Sequence, residues 1–170
     1  RRLVGKMAVR EGLAKPVQSP KTAGAKEKED GIRKSQKILL TWLVSDERIF
    51  GQIKDYISPE DFSDGIYRKA AGLLFQQYHD GEINPARIMN YFTDEEEHRE
   101  VAALFHTRIE ELTSEREKEK ALMETVLRIK NHSIETATRN LEPTDMAGLQ
   151  RLMEAKKELQ DLKKLHISIN

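Results

Sequence analysis

Two long stretches, in which apolar residues recur every three or four positions, constrain the fold of this chain most strongly. The first runs from Ser114 to about Asn140, and the second runs from about Met146 to His166. This spacing places apolar side chains on one side of an α-helix. Pro143 separates the stretches, and proline cannot continue a helix. The pattern therefore predicts two long helices joined by a short turn, which is an antiparallel helical hairpin.

Shorter helices are predicted before the hairpin, because residues suited to cap a helix precede several apolar segments. The predicted caps are Ser45, Ser58, Asn84, Thr93 and Ser114. Gly81 is placed to end the longest of these helices. No segment alternates with period two, so we expect no β-sheet. The fold class is predicted to be all-α, with a small helical bundle over residues 32–112, followed by a long helix and the hairpin over residues 113–170.

The core of the bundle is expected to form from large apolar side chains that share helical faces. The candidates are Leu39, Trp42, Phe62, Leu73, Leu74, Leu104 and Phe105.

The start of the chain differs from the rest. It begins with Arg1 rather than methionine, so we expect a larger parent protein and interpret residues 1–14 as the tail of a preceding domain. Residues 15–31 predict a flexible linker. No large apolar residue occurs from Gln18 to Gly31, and such a segment cannot bury enough surface to offset the entropy of ordering.

Composition limits the classes of function. The chain has 29 Lys and Arg against 29 Asp and Glu, whereas an autonomous nucleic-acid binder is expected to be basic. We therefore expect at most weak binding of nucleic acid. The absence of cysteine excludes disulfides, thiolate zinc sites and cysteine nucleophiles. No apolar run is long enough to cross a bilayer, and no signal peptide is present, so a cytoplasmic protein without membrane contact is expected.

No motif predicts catalysis, a cofactor or a metal. None of the histidine pairs has the spacing of a zinc protease, and the glycine-rich phosphate loops are absent. Glu95 and His98 resemble half of a di-metal motif, but no second helix supplies the other half. Acidic residues are also favoured in the first turn of a helix. The chain is therefore predicted not to be an enzyme by itself.

The last helix has a second apolar stripe, off the line that closes the hairpin: Met146, Leu149 and Met153. A second stripe must be covered by another element or by another protein. The bundle is one candidate cover for the long helix near Met123 and Leu127, whereas near the turn we expect a partner protein. The residues predicted to contact it are Leu141, Met146, Leu149, Met153, Lys156, Lys157, Lys163 and Leu165.

The lysines of the last helix alternate with Glu154, Glu158 and Asp161, which predicts ion pairs one helical turn apart. The lysines concerned are Lys156, Lys157, Lys163 and Lys164. Docking through these charges is the alternative to docking through the apolar stripe, and it predicts a strong dependence on salt.

Residues 37–47 read KILLTWLVSDE, residues 57–64 read ISPEDFSD, and residues 66–68 read IYR. They are followed by residues 84–87, which read NPAR, and by the closing hairpin. Together these segments resemble the C-terminal domain of bacterial DnaG-type primases. The resemblance covers residues 32–170, and its motifs are mostly helix caps and core positions.

The resemblance implies a non-catalytic module that docks a primase onto the N-terminal domains of the hexameric DnaB-type replicative helicase and modulates both activities. In that family the terminal hairpin supplies much of the docking. Primer synthesis, with its metal-binding acidic cluster and zinc-binding domain, lies in upstream domains, so the expected parent protein is a DNA primase. Two alternatives remain: the N-terminal domain of the helicase itself, which the bundle also resembles, and a helical DNA-binding domain.

Overall fold

The part of the chain that the structure describes is built from helices. The structure is a computed structural model, and it describes residues 20–107 and 114–169. Within these residues there are seven α-helices and one 3-10 helix, and there is no β-strand. The prediction of an all-α fold class is therefore confirmed for the described part of the chain.

The helices are, in chain order, α1 (Pro20–Ser45), α2 (Glu47–Ile53), the 3-10 helix (Pro59–Asp61), α3 (Ile66–Asp80), α4 (Pro85–Tyr91), α5 (Glu95–Phe105), α6 (Glu115–Asn140) and α7 (Met146–Lys164). The two long periodic stretches of the sequence correspond to α6 and α7. The last helix ends at Lys164, two residues before the predicted end at His166.

Most of the predicted helix boundaries are confirmed. Asn84 accepts a backbone hydrogen bond at the start of α4, and Ser114 does the same at the start of α6. At the 3-10 helix the backbone N–H of Ser58 donates to the Asp61 carboxylate at 2.9 Å. Gly81 ends α3 with φ of 78°, a left-handed conformation that glycine adopts without steric strain.

Two predicted caps are wrong by one residue. The hydroxyl of Ser45 donates back to the Thr41 carbonyl at 2.8 Å, so the side chain is engaged within α1. The adjacent Asp46 caps α2 instead. At α5 the cap is Asp94 rather than Thr93, and its carboxylate accepts two backbone N–H groups of the first turn. In both cases a carboxylate is the capping group, which suits the positive end of a helix.

The predicted linker requires a correction. Residues 1–14 and the first part of the linker, residues 15–19, lie outside the described residues. From Pro20 onward the structure has the first turns of α1, so residues 20–31 are helical rather than irregular. Lys, Glu and Ala favour helices, and proline suits a first turn. Residues 24–30 are exposed, as the lack of large apolar residues predicts.

The main hydrophobic core joins α1, α2, α3 and α5. The predicted core side chains that are buried in it are Leu39, Phe62, Leu74, Leu104 and Phe105. Trp42 and Leu73 are only half-buried and pack against this core. Each lies beside the inner line of its helix, where the neighbouring Leu43 and Leu74 are fully buried.

The helix α6 and the end of the chain belong to the same core. Leu122, Val126 and Ile129 of α6 are fully buried among the residues of the earlier helices. Leu162 of α7 and Ile167, which follows that helix, are buried in the same cluster. The predicted bundle and the predicted hairpin segment therefore share one hydrophobic core.

Candidate docking surface on the last helix

The last helix is packed along one side. Leu152 and Leu159 of α7 are buried with Ile134 of α6 in a small second cluster, and Leu162 reaches the main core. These three leucines follow one line of the helix at spacings of seven and three residues. One side of α7 therefore contributes to the stability of the fold.

The contacts along α6 and α7 run in opposite order. Glu119, in the first turns of α6, accepts a hydrogen bond from the backbone N–H of Ile169 at 3.0 Å. Lys130, further along α6, donates to Glu158 at 2.7 Å. Leu141, just after α6, packs against the cluster that contains Leu152. The helix α7 therefore returns along α6.

The other side of α7 carries three exposed apolar side chains. The exposed fractions are 72% for Met146, 40% for Leu149 and 64% for Met153. Among the described residues, Tyr91 is the only other large hydrophobic side chain that is exposed. Spacings of three and four residues put the three on one face. We call Met146, Leu149 and Met153 the apolar face of α7.

Other apolar residues near this face are covered by the chain itself. Leu141 is half-buried against the second cluster, and Leu165 is half-buried against the main core, although both were predicted to contact a partner. Met123 and Leu127 of α6 also pack against the main core, so the bundle covers the second stripe of the long helix. Among the described apolar residues of α6 and α7, the stripe at the start of α7 remains uncovered.

A buried polar cluster holds α7 in place. The ammonium group of Lys130 lies 3.1 Å and 3.4 Å from the two carboxylate oxygens of Asp61, and 2.7 Å from the Glu158 carboxylate. The Ser133 hydroxyl donates to Asp61 at 2.7 Å, and the backbone N–H of Ser58 donates to its other oxygen. Lys130 and Asp61 are 3% and 7% exposed. The cluster joins the 3-10 helix, α6 and α7.

The sequence offered a signal for this cluster. Lys130 lies four residues after Val126 and three before Ser133. It therefore lies on the same face of the long helix as the buried Val126. A lysine on such a face requires a carboxylate partner, because an unpaired buried charge is costly. Periodicity alone did not show that the partner would be Asp61, which is 69 residues earlier in the chain.

Hydrogen bonds also hold the described residues that follow α7. The backbone N–H of Ser168 donates to the Gln52 side chain at 2.8 Å, and the same side chain donates to the Ser168 carbonyl at 2.6 Å. At its start, α7 is capped by Asp145, which accepts the Gly148 N–H at 2.8 Å. The apolar face therefore lies on a helix that is anchored at both ends and at Glu158.

The predicted ion pairs within α7 are not formed. Within the described residues, none of the four lysines of α7 lies within ion-pair distance of a carboxylate. Glu158 pairs with Lys130 of α6 instead. Intrahelical pairs between exposed side chains contribute only about 0.3–0.5 kcal/mol, so a contact with a buried lysine displaces them easily. Lys156, Lys157 and Lys163 are all exposed.

A second polar group lies where α1 meets α6. Burial lowers the pKa of His132, and its Nδ1 has no hydrogen-bond partner within the described residues. Glu135, one turn later, receives a 2.6 Å hydrogen bond from Lys28 of α1, which lowers the pKa of that carboxylate. The Lys28–Glu135 pair ties the exposed part of α1 to α6.

The described residues contain no group of three or more His, Asp or Glu side chains placed to hold a metal ion. Glu95 pairs with Arg99 rather than with a metal-binding partner. None of the helices in the described part of the chain is both long and apolar enough to cross a membrane.

Comparisons with protein-family models, with curated proteins and with solved structures give no match for this chain.

Proposed function

We propose that this chain is a docking module that attaches a bacterial DnaG-type primase to the N-terminal domains of a DnaB-type replicative helicase. In this proposal it has no catalytic role of its own, and it modulates the helicase and the primase by bringing them together. The small bundle serves as the scaffold, and the terminal α6–α7 hairpin presents the contact surface. The primase chemistry belongs to other domains of the parent protein.

The apolar face of α7 is the main support for this function. The three side chains of this face are exposed, whereas the opposite side of the helix is packed against the chain. A role in the hydrophobic core therefore does not explain why Met146, Leu149 and Met153 are apolar. Interfaces concentrate their binding energy in a few side chains that become buried on association. Methionine suits such a surface because its unbranched side chain adapts to the partner.

The contacts that anchor α7 also favour docking. A helix that is already ordered loses less conformational entropy on binding than a flexible segment does. Here Asp145 fixes the start of the helix, Lys130 fixes its middle, and the Gln52 contact fixes the segment beyond its end. The apolar face is therefore presented in one orientation.

The test is a calorimetric titration of the full chain with the N-terminal domain of the cognate DnaB-type helicase. We expect saturable binding with a Kd of about 1 μM or lower, which corresponds to a binding free energy of about 8 kcal/mol or more in favour of the complex. No heat of binding at concentrations up to about 100 μM would contradict the proposal. Binding to duplex DNA that weakens steeply with salt would instead support the DNA-binding alternative.

A further inference from the structure

The exposed side of α7 has two parts that follow one another along the helix. At about 100° per residue, the apolar face occupies an arc of about 60° in the first half of the helix. Four lysines lie within about 75° of the middle of that arc, in the second half. We call them the lysine band, and its members are Lys156, Lys157, Lys163 and Lys164.

The acidic residues of α7 lie further from the middle of the apolar face than the lysines do. By the same geometry Glu154, Glu158 and Asp161 are about 90° to 150° away from the middle of the apolar face. Glu158 is turned inward to Lys130. Although Lys157 and Asp161 are one helical turn apart, none of the members of the lysine band is in an ion pair within the described residues.

We propose that α7 fits a protein surface in which an apolar pocket adjoins an acidic patch. The centres of the two parts are about 16 Å apart along the helix, at 1.5 Å per residue. The inference rests on the proposed function, and it adds the chemistry of the partner and the direction in which α7 lies on it. The apolar face fills the pocket, and the lysine band contacts the carboxylates beside it.

The α7 helix of a second copy does not provide such a surface. If two α7 helices packed in parallel, the lysine band of one would lie against the lysine band of the other. Like charges in contact destabilise such a pairing. If they met antiparallel, each apolar face would be covered by lysines. The exposed side of α7 is therefore not complementary to itself.

A lipid surface and a nucleic acid fit the pattern less well. A helix that lies on a membrane has an apolar face along its whole length, with basic residues on its flanks. Here the apolar part ends at Met153, and lysines continue on the same side. A phosphate backbone would be met by lysines but would leave Met146 and Leu149 exposed to solvent. An acidic protein surface with a pocket uses both parts.

The two parts of the surface are expected to act on different rate constants. Charges at the edge of an interface mainly raise the association rate, because they steer the encounter, and salt screens this effect. Apolar anchors that become buried mainly slow dissociation. The lysine band would therefore set the speed and the direction of docking, and the apolar face would set its lifetime.

The test compares the wild-type chain with the Lys156→Glu/Lys163→Glu variant, measuring association with the cognate helicase N-terminal domain at low and high salt. The matched control is Lys34→Glu/Lys54→Glu, which makes the same change in net charge at two exposed lysines outside α7. A synthetic helical peptide with a leucine cluster followed by a glutamate cluster is a second probe. Phosphatidylserine vesicles are the third probe, and duplex DNA is the fourth.

We expect charge reversal in the lysine band to slow association with the helicase domain about tenfold at low salt, and the control to change it by less than about twofold. The difference should nearly disappear at about 1 M salt. Helicase binding with equal effects of the two variants would overturn the inference and leave the proposed function standing.

If the wild-type chain does not bind the helicase domain, the proposed function is wrong, and the peptide decides the inference alone. Peptide binding that the lysine-band variant loses and the control keeps would support the inference, whereas no peptide binding would overturn it. Tighter binding to the vesicles or to DNA than to either protein probe would also overturn it.

Discussion

At the scale of single residues, the position of α7 depends on the charge of Lys130. Its ammonium group is enclosed by the carboxylates of Asp61 and Glu158, and Asp61 is further satisfied by Ser133 and by a backbone N–H. Both carboxylate oxygens of Asp61 therefore have donors. Such a pair contributes little compared with an apolar substitute, but removing one partner leaves a buried charge uncompensated.

We therefore predict that Lys130→Met decreases the free energy of unfolding by about 3–5 kcal/mol. Methionine keeps an unbranched apolar side chain that is one atom shorter, and it removes the charge and the donors. The matched control is Lys28→Met, since Lys28 forms an exposed ion pair with Glu135 and should cost less than about 1 kcal/mol. Urea denaturation measures both, and equal costs for the two variants would show that the buried cluster is not a major determinant of stability.

His132 gives a prediction about pH. Burial lowers its pKa, against the opposing effect of the Glu135 carboxylate, so the folded chain binds a proton at this site less readily than the unfolded chain. Stability is therefore lost as the pH falls below about 6.5, the ordinary pKa of histidine. Between pH 7 and pH 5, the free energy of unfolding should decrease less in His132→Gln than in the wild type. Parallel decreases would rule out His132 as a source of the acid sensitivity.

At the scale of elements, the first turn of α7 determines how the apolar face is presented. A Cβ added at Gly148 would lie 2.7 Å from the Asp145 Cγ and 3.0 Å from the Leu141 Cδ1. Gly148 thus allows the capping carboxylate to approach the helix. An alanine there would favour the helix by propensity, but it would push the cap away and press on Leu141.

We predict that Gly148→Ala destabilises the chain, by on the order of 1 kcal/mol, because loss of the cap and the contact with Leu141 outweigh the gain in propensity. The control is Gly51→Ala in α2, where an added Cβ would meet nothing within 4 Å beyond its chain neighbours and the backbone of its own helix. That variant should be neutral or more stable by up to about 1 kcal/mol. Thermal denaturation of the two variants measures the effect, and stabilisation by Gly148→Ala would contradict this account of the α7 start.

Periodicity and capping chemistry predict most of the element boundaries, because both depend on residues close in sequence. Gly81, Asn84 and Ser114 mark boundaries where expected. The first turns of α1 were not predicted, because helix propensity in an exposed segment is a weaker signal than an apolar stripe. The Lys130–Asp61 pair was not predicted either, because its two residues meet only after the chain has folded.

At the scale of the whole molecule, the packing of α7 determines which experiments are informative. Leu162 and Ile167 are buried in the main core, so deletion of residues 142–170 would open that core as well as remove the apolar face. A loss of binding after such a deletion would not separate contact from folding. Substitutions at exposed positions of α7 do separate them, because such changes usually alter stability by less than about 0.5 kcal/mol.

The sequence predicts only in part which apolar residues near α7 are exposed and which are packed against the chain. The off-line positions of Met146, Leu149 and Met153 followed from helical geometry. The sequence did not show that Leu141 and Leu165 would be packed against the chain itself, since this depends on where α7 lies against α6 and the bundle. The surface proposed for docking is therefore smaller than the set of residues first predicted to contact a partner.

Docking through the apolar face of α7 is tested by the affinity of the Leu149→Ala/Met153→Ala variant for the cognate helicase N-terminal domain. The control is Tyr91→Ala, which removes an exposed apolar side chain outside α7. Circular dichroism and thermal denaturation would establish that both variants remain folded. We predict that the double variant binds at least tenfold more weakly, a loss of about 1.4 kcal/mol or more, while the control binds like the wild type. Unchanged affinity of the folded double variant would contradict docking through the apolar face of α7.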